Sequence, residues 1–191
     1  SHQIVMTSTL ASFWDLDPNC IYLNHGSFGP SPSPVREARE RWSARLERQP
    51  MKFFCKDMDD ELDNASEVIA RFLGTKGDRI ALIDNATVAM NIVAHTIPLQ
   101  KDDEILLNDH EYGAVRRIWQ ARCEATGARI VNVSLPCPPT DEEVVAGIQQ
   151  AMSEKTKVIV VSHVTSATAC ILPVKKICQM ARSRKVPVAV D

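Results

Sequence analysis

Five short apolar runs recur along the chain at regular intervals, and that series limits the fold more than any other feature. The runs are Arg79 to Ile83, Glu104 to Leu107, Arg129 to Val133, Lys157 to Val161 and Val186 to Val190, with helical periodicity between them. Runs that are apolar throughout, rather than alternating, belong to strands buried on both faces, as in a parallel sheet sandwiched by helices. The helices announce themselves. Thr140-Asp141-Glu142-Glu143 has the form of a capping box ahead of Val144 and Ile148. Val115, Ile118, Trp119, Arg122 and Ala125 run to a stop at Gly127, and Val174, Ile177, Cys178 and Ala181 follow Pro173. The pattern predicts a doubly wound α/β architecture over residues 76–191.

The preceding residues are unlike this. Residues 1–30 are irregular, and residues 31–75 are helical. Ser33-Pro34 reads as an N-cap followed by proline at the first helical position, with Val35, Ala38, Trp42 and Leu46 on one stripe. Arginines 36, 39, 41, 45 and 48 flank that stripe, but Glu37, Glu40 and Glu47 interleave with them, which describes an ion-paired solvated helix better than a nucleic-acid face. In a second helix Leu62, Ala65, Ile69, Phe72 and Leu73 are expected to face inward, with Gly74 as the stop.

Composition excludes several classes of function. Twenty-two Lys plus Arg against 24 Asp plus Glu give a net charge of −2, which supplies no bulk attraction for nucleic acid. No apolar stretch reaches the roughly 18 residues needed to span a bilayer, and no leader opens the sequence, so a soluble protein without a membrane partner is expected. Six cysteines without Cys-x-x-Cys spacing read as reduced thiols in a cytoplasmic protein. His25, His95, His110 and His163 lack ligand spacing with one another or with the cysteines, so no metal site is expected.

In a parallel α/β sheet, ligands sit beyond the carboxyl ends of the strands, where helix N-termini direct their N–H groups. Asp84-Asn85-Ala86-Thr87 follows the first run; it offers a phosphate seat, although taken alone a plain helix cap by Asn85 or Thr87 is the simpler reading. Tyr112, after the second run, presents a flat ring to stack on a planar ligand or to pack in the ordinary way. Ser162 to Thr168, after the fourth, is rich in hydroxyls, and Asp191 closes the fifth as an anion or as a cap for a following helix. A phosphate seat, a stacking ring, a hydroxyl and an anion together describe a phosphorylated, planar, cationic heterocycle. Pyridoxal 5'-phosphate (PLP) fits, since its ring nitrogen acts as an electron sink only when protonated and a carboxylate beside it favours that form. A dinucleotide fits less well, because Gly-x-Gly-x-x-Gly is missing after the first run.

The same residues carry a resemblance. Tyr22-Leu23-Asn24-His25-Gly26-Ser27-Phe28-Gly29, Asn85-Ala86-Thr87, Glu111-Tyr112-Gly113-Ala114-Val115 and the stretch from Ser162 to Asp191 resemble class V aminotransferase-fold enzymes, nearest to the isopenicillin N epimerase-like branch beside the cysteine desulfurases and C–S lyases. The resemblance covers essentially the whole chain. It implies the large domain of a fold type I PLP-dependent transferase, truncated before the Schiff-base lysine, which in such enzymes lies beyond the aspartate matched by Asp191. It further implies that Ala86 and Thr87 seat the phosphate, that Tyr112 stacks on the ring where desulfurases carry histidine, that Ser166, in place of their asparagine, contacts the ring hydroxyl, and that Asp191 pairs with the ring nitrogen. Asn24 and His25 fall on the substrate side, a turn around Asn24 being the other reading. The domains implied are an arm over residues 1–30 that contributes to the active site, a helical segment over 31–75, and the first half of the PLP-binding α/β domain over 76–191. The parent is expected to be a cytoplasmic homodimeric enzyme that acts on an amino acid through an external aldimine, by epimerisation, transamination or C–S cleavage. This chain by itself is expected to be inactive; the alternative is a non-catalytic fragment that serves as a binding module.

Overall fold

The computed structural model describes residues 10–191 and divides into two compact units, Ser1–Leu82 and Ile83–Asp191. In the first unit a short helix α1 (His25–Phe28) precedes α2 (Ser33–Arg48), and α3 (Pro50–Lys52) continues through a π-helical turn at Phe53–Asp57 into α4 (Met58–Leu73). Pro32, not Ser33, is the N-cap of α2: Ser33 is already helical and its hydroxyl donates to the Phe13 carbonyl at 3.1 Å instead of capping the helix. Of the charges interleaved on α2, Arg41 pairs with Glu37 at 3.9 Å, whereas Arg45 pairs with acids outside the helix. Arg45 reaches Asp57 at 3.0 Å and Glu61 at 2.6 Å, Lys52 reaches Asp57 at 2.7 Å, and the Arg45 guanidinium lies 4.9 Å from the Trp42 ring centroid.

The inward face expected of α4 is not buried. Leu62, Ile69, Phe72 and Leu73 are exposed, Phe72 at 89%, Ala65 is half-buried, and Ala70 alone of this helix is buried. The stripe of α2 likewise has no buried residue. Periodicity marks an apolar stripe, but a second layer has to cover it, and the described residues of this unit supply none. Gly74 ends α4 in the left-handed region at φ 70°, as the sequence predicts.

The second unit alternates α5 (Ala86–Thr96), β1 (Glu104–Asn108), α6 (Gly113–Thr126), β2 (Arg129–Val133), α7 (Asp141–Ala151), β3 (Thr156–Val161), α8 (Val174–Ser183) and β4 (Val188–Val190). The strands form one parallel sheet in the order β2-β1-β3-β4. The first expected strand does not form: Gly77–Arg79 is a 3-10 turn, and residues 80–83 join no ladder among the described residues, with Leu82 and Ile83 exposed. An apolar run becomes a strand only where a neighbour accepts its backbone bonds. β2, at the sheet edge, is also less buried than its apolar sequence predicts.

Alternate strand residues feed two cores. Ile105, Leu107, Val158 and Val160 pack with Met90 and Ala94 of α5 and with Val115 and Trp119 of α6. Leu106, Val133, Ile159 and Val161 pack on the other face with Val144 and Ile148 of α7 and Ile177 and Ala181 of α8. The capping box forms at Thr140 and Glu143, and Gly127 closes α6 at φ 77°. No helix of the described residues is long and apolar enough to cross a membrane.

At the amino edge, buried Glu104 accepts hydrogen bonds of 2.5 Å from Ser153 Oγ and from Arg129 Nη2. The Ser153 hydroxyl first, and the guanidinium second, hold its carboxyl below the usual carboxylate range. A depressed carboxylate stabilises the fold above its unfolded value of about 4.3, and that contribution is lost as pH falls through the lower folded value. Glu104→Gln is therefore expected to cost about 1 kcal/mol at neutral pH. Its denaturation midpoint should approach that of wild type in acid titration, and a gap that stayed constant into strong acid would contradict this role.

Candidate active site

The carboxyl edge of the sheet is held together by one buried carboxylate. Asn108 ends β1, and its Oδ1 accepts from the His110 N–H at 2.9 Å, which turns the chain sharply. Glu111 then sits inside the edge, 7% exposed. Its Oε1 accepts from the Tyr112 N–H at 3.0 Å and the Ser162 hydroxyl at 2.5 Å, while its Oε2 accepts from the Ser162 N–H at 3.0 Å. The tips of β1 and β3 are thereby fastened to each other. Tyr112 becomes the N-cap residue of α6, and it is 48% exposed at the strand tip.

Beyond β3 the chain folds into a narrow loop closed by an antiparallel bridge between Val164 and Ile171. Buried Thr165 organises it: the Thr165 N–H donates to the Cys170 carbonyl at 2.9 Å, and its Oγ1 accepts from the Cys170 N–H at 2.8 Å. Ser166 follows directly, exposed on the turn. Asp191, after β4, is held through its backbone, donating to the Val161 carbonyl at 2.9 Å and accepting from the His163 N–H at 2.8 Å. Although exposed as a residue, Asp191 keeps a carboxyl that burial pushes up from its ordinary pKa, and no cation pairs with it among the described residues.

α5 packs on the same face of the sheet as α6 and leads through residues 97–103 into the start of β1. It therefore runs back against the strands, with its N-terminus at their carboxyl edge. Asn85 caps it, its Oδ1 accepting from the Val88 N–H at 2.9 Å. That leaves Ala86 and Thr87 exposed in the first turn, with the Thr87 hydroxyl unused by the cap.

Tyr112, Ser166 and Asp191 thus follow three neighbouring strands, β1, β3 and β4, and Ala86 and Thr87 open a helix that points toward the same edge. Asn24 and His25 belong to the first unit. Asn24 caps α1, accepting from the Ser27 N–H at 3.3 Å, and the His25 ring meets Tyr22 and Trp14 edge-on at 5.2 and 6.1 Å. Sequence reasoning passed over Glu111 and Thr165. A carboxylate four residues past an apolar run, just before the start of a helix, was the available signal for Glu111; Thr165 carried none that distinguishes it from its hydroxyl neighbours.

This fold and this edge are those of a fold type I α/β domain. The chain belongs to the aminotransferase class V family, whose model matches residues 29–191. It is 37% identical over 177 residues to isopenicillin N epimerase of Streptomyces clavuligerus, covering 92% of this chain and 44% of that protein. It is 25% identical over 185 residues to a probable chloroplastic L-cysteine desulfhydrase of Arabidopsis thaliana, covering 89% of this chain and 39% of that one. Among solved structures, C-DES with glycine covalently linked to its PLP cofactor superposes with a TM-score of 0.83 at 23% identity, covering 96% of this chain and 48% of that one. The Escherichia coli cysteine desulfurase CsdA superposes with a TM-score of 0.78 at 20% identity, covering 95% and 47%. The chain spans less than half the length of these relatives.

Proposed function

We propose that the protein is a PLP-dependent enzyme acting on an amino acid, of the epimerase, aminotransferase or C–S lyase type, and that residues 76–191 supply the first half of its cofactor site. The observation that carries this reading is Asp191: a carboxylate at the tip of β4, with its backbone tied to the loop that bears Ser166 and with no cation paired to it among the described residues. Bound there, PLP supplies an electron sink for the substrate's α-carbon.

The chain's own residues bind and orient. The N–H groups of the first turn of α5 and the Thr87 hydroxyl take the phosphate, with the helix dipole adding to the attraction. The Tyr112 ring offers the stacking face, held at the β1 tip by Glu111. The Ser166 hydroxyl takes the ring hydroxyl. Asp191 holds a proton on the ring nitrogen. The residues present fit the group in charge and polarity. From the family resemblance we assign Asn24 and His25 to the substrate side, residues 1–30 to an arm that contributes to the active site, and residues 31–75 to a helical segment. We assign the Schiff-base lysine to sequence outside residues 1–191, and cytoplasmic, homodimeric organisation to the whole protein.

An absorbance spectrum of the intact protein with PLP, before and after borohydride, tests the reading. A chromophore that survives dialysis, and that borohydride fixes covalently to a lysine, is the expected result. A protein that retains no chromophore overturns it.

A further inference from the structure

Three side chains that sequence spacing keeps apart meet on the second unit. His110 follows β1, Cys137 lies in the connection after β2, and Cys170 closes the loop after β3. One ring nitrogen of His110 and the two Sγ atoms all lie within 4.8 Å of one another. Both cysteines are free thiols. The absence of metal-ligand spacing in the sequence therefore does not carry over to the fold.

The histidine is prepared for a ligand. Its side chain is 8% exposed, and its Nε2 lies 3.2 Å from the Leu135 carbonyl, which only accepts. That partner assigns the proton to Nε2 and leaves the lone pair on Nδ1. Nδ1 lies 2.9 Å from the Thr168 hydroxyl, which has a second partner in Thr165 Oγ1 at 2.7 Å and so can release the imidazole. Cys170 Sγ lies 3.6 Å from the Thr168 carbonyl. A ring whose far N–H is fixed by a backbone carbonyl is the usual outer support of a metal-bound histidine. The Asp109 carboxylate, 3.8 Å from Nε2, adds negative charge behind the ring.

We infer that His110, Cys137 and Cys170 form a binding site for a thiophilic cation of the zinc class, with a fourth position open to solvent beside exposed Cys137. Two thiolates and an imidazole select a soft or borderline ion over magnesium or calcium. Tetrahedral zinc, with Zn–S near 2.3 Å and Zn–N near 2.0–2.1 Å, needs ligand atoms roughly 3.4–3.8 Å apart, so the trio closes on an ion by about 1 Å of side-chain rotation. Uptake releases the two thiol protons to solvent, and the bound thiolates then balance the 2+ charge. A disulfide between the two sulfurs would leave the imidazole without a part, and the prepared Nδ1 favours the ion.

The test uses the reduced full chain without cofactor, so it stands apart from the PLP reading. Zinc is titrated in competition with a chromophoric chelator, and cobalt is added as an optical probe. One equivalent of tight zinc, a thiolate-to-cobalt charge-transfer band, and at least a tenfold loss of affinity in both Cys137→Ser and Cys170→Ser are expected. Thr168→Val keeps the ligands and should retain binding, with circular dichroism confirming that every variant folds. No stoichiometric uptake, uptake indifferent to both serine variants, or a cobalt spectrum without the charge-transfer band overturns the site. So does a pair that forms a disulfide under mild oxidation yet takes no metal when reduced.

Discussion

Asp191→Ala in the intact protein is expected to lower turnover by about 10²–10³-fold while leaving the fold in place, the size of loss that follows removal of one preorganised electrostatic partner. The side chain contributes nothing visible to the sheet, since Asp191 is held by backbone bonds to Val161 and His163 that alanine preserves. On the proposed reading, what the variant loses is the charge opposite the ring nitrogen. In the protein alone, burial raises the Asp191 carboxyl pKa. By the sign of that shift, the group favours the folded state at low pH, and the contribution is lost as pH rises through the folded value. A docked pyridinium acts in the opposite direction and pulls the carboxyl down. Cofactor binding should therefore strengthen as pH rises through the cofactor-free value of Asp191, and the alanine variant should lack that dependence. Near-normal turnover in Asp191→Ala would remove Asp191 from the mechanism.

Glu111→Ala is expected to destabilise the protein by about 3 kcal/mol, because it orphans the buried Ser162 hydroxyl and two backbone N–H donors, one buried and one part-buried, at about 1–3 kcal/mol per buried group. These donors, on Tyr112 and Ser162, lie at the tips of the two strands that the carboxylate joins. For a chain of this size the melting temperature should fall by about 6–12 °C. Glu111→Gln keeps one acceptor oxygen and should lie between wild type and alanine. Cofactor affinity should weaken in the same order, since Tyr112 and the Ser166 loop are released together; a melting temperature within a degree of wild type would show that the clamp carries no weight.

Local signals in the sequence translated well wherever the chain itself completes them. The Thr140 capping box, the glycine stops at 74 and 127, and the apolar runs of β1 and β3 form as read, because each depends on neighbours a few residues away or on a sheet that the chain supplies, while the last run forms a strand only over Val188–Val190, with no residue buried. Residues 79–83 carried an equally apolar signal and form no strand, and the stripe of α4 stays exposed, because both depend on a partner surface that periodicity does not specify. The Glu111 clamp and the meeting of His110, Cys137 and Cys170 were illegible for a different reason. They arise from the β2-β1-β3 order, which brings three loops distant in sequence to one edge.

On the proposed reading Asp191 holds a proton at the ring nitrogen, and magnetic resonance of PLP isotope-labelled at that nitrogen reads it directly. At a pH where the free cofactor's ring nitrogen is neutral, the intact protein should show a protonated nitrogen and Asp191→Ala a neutral one. A neutral nitrogen in the unaltered protein, or the same signal in both, would contradict it.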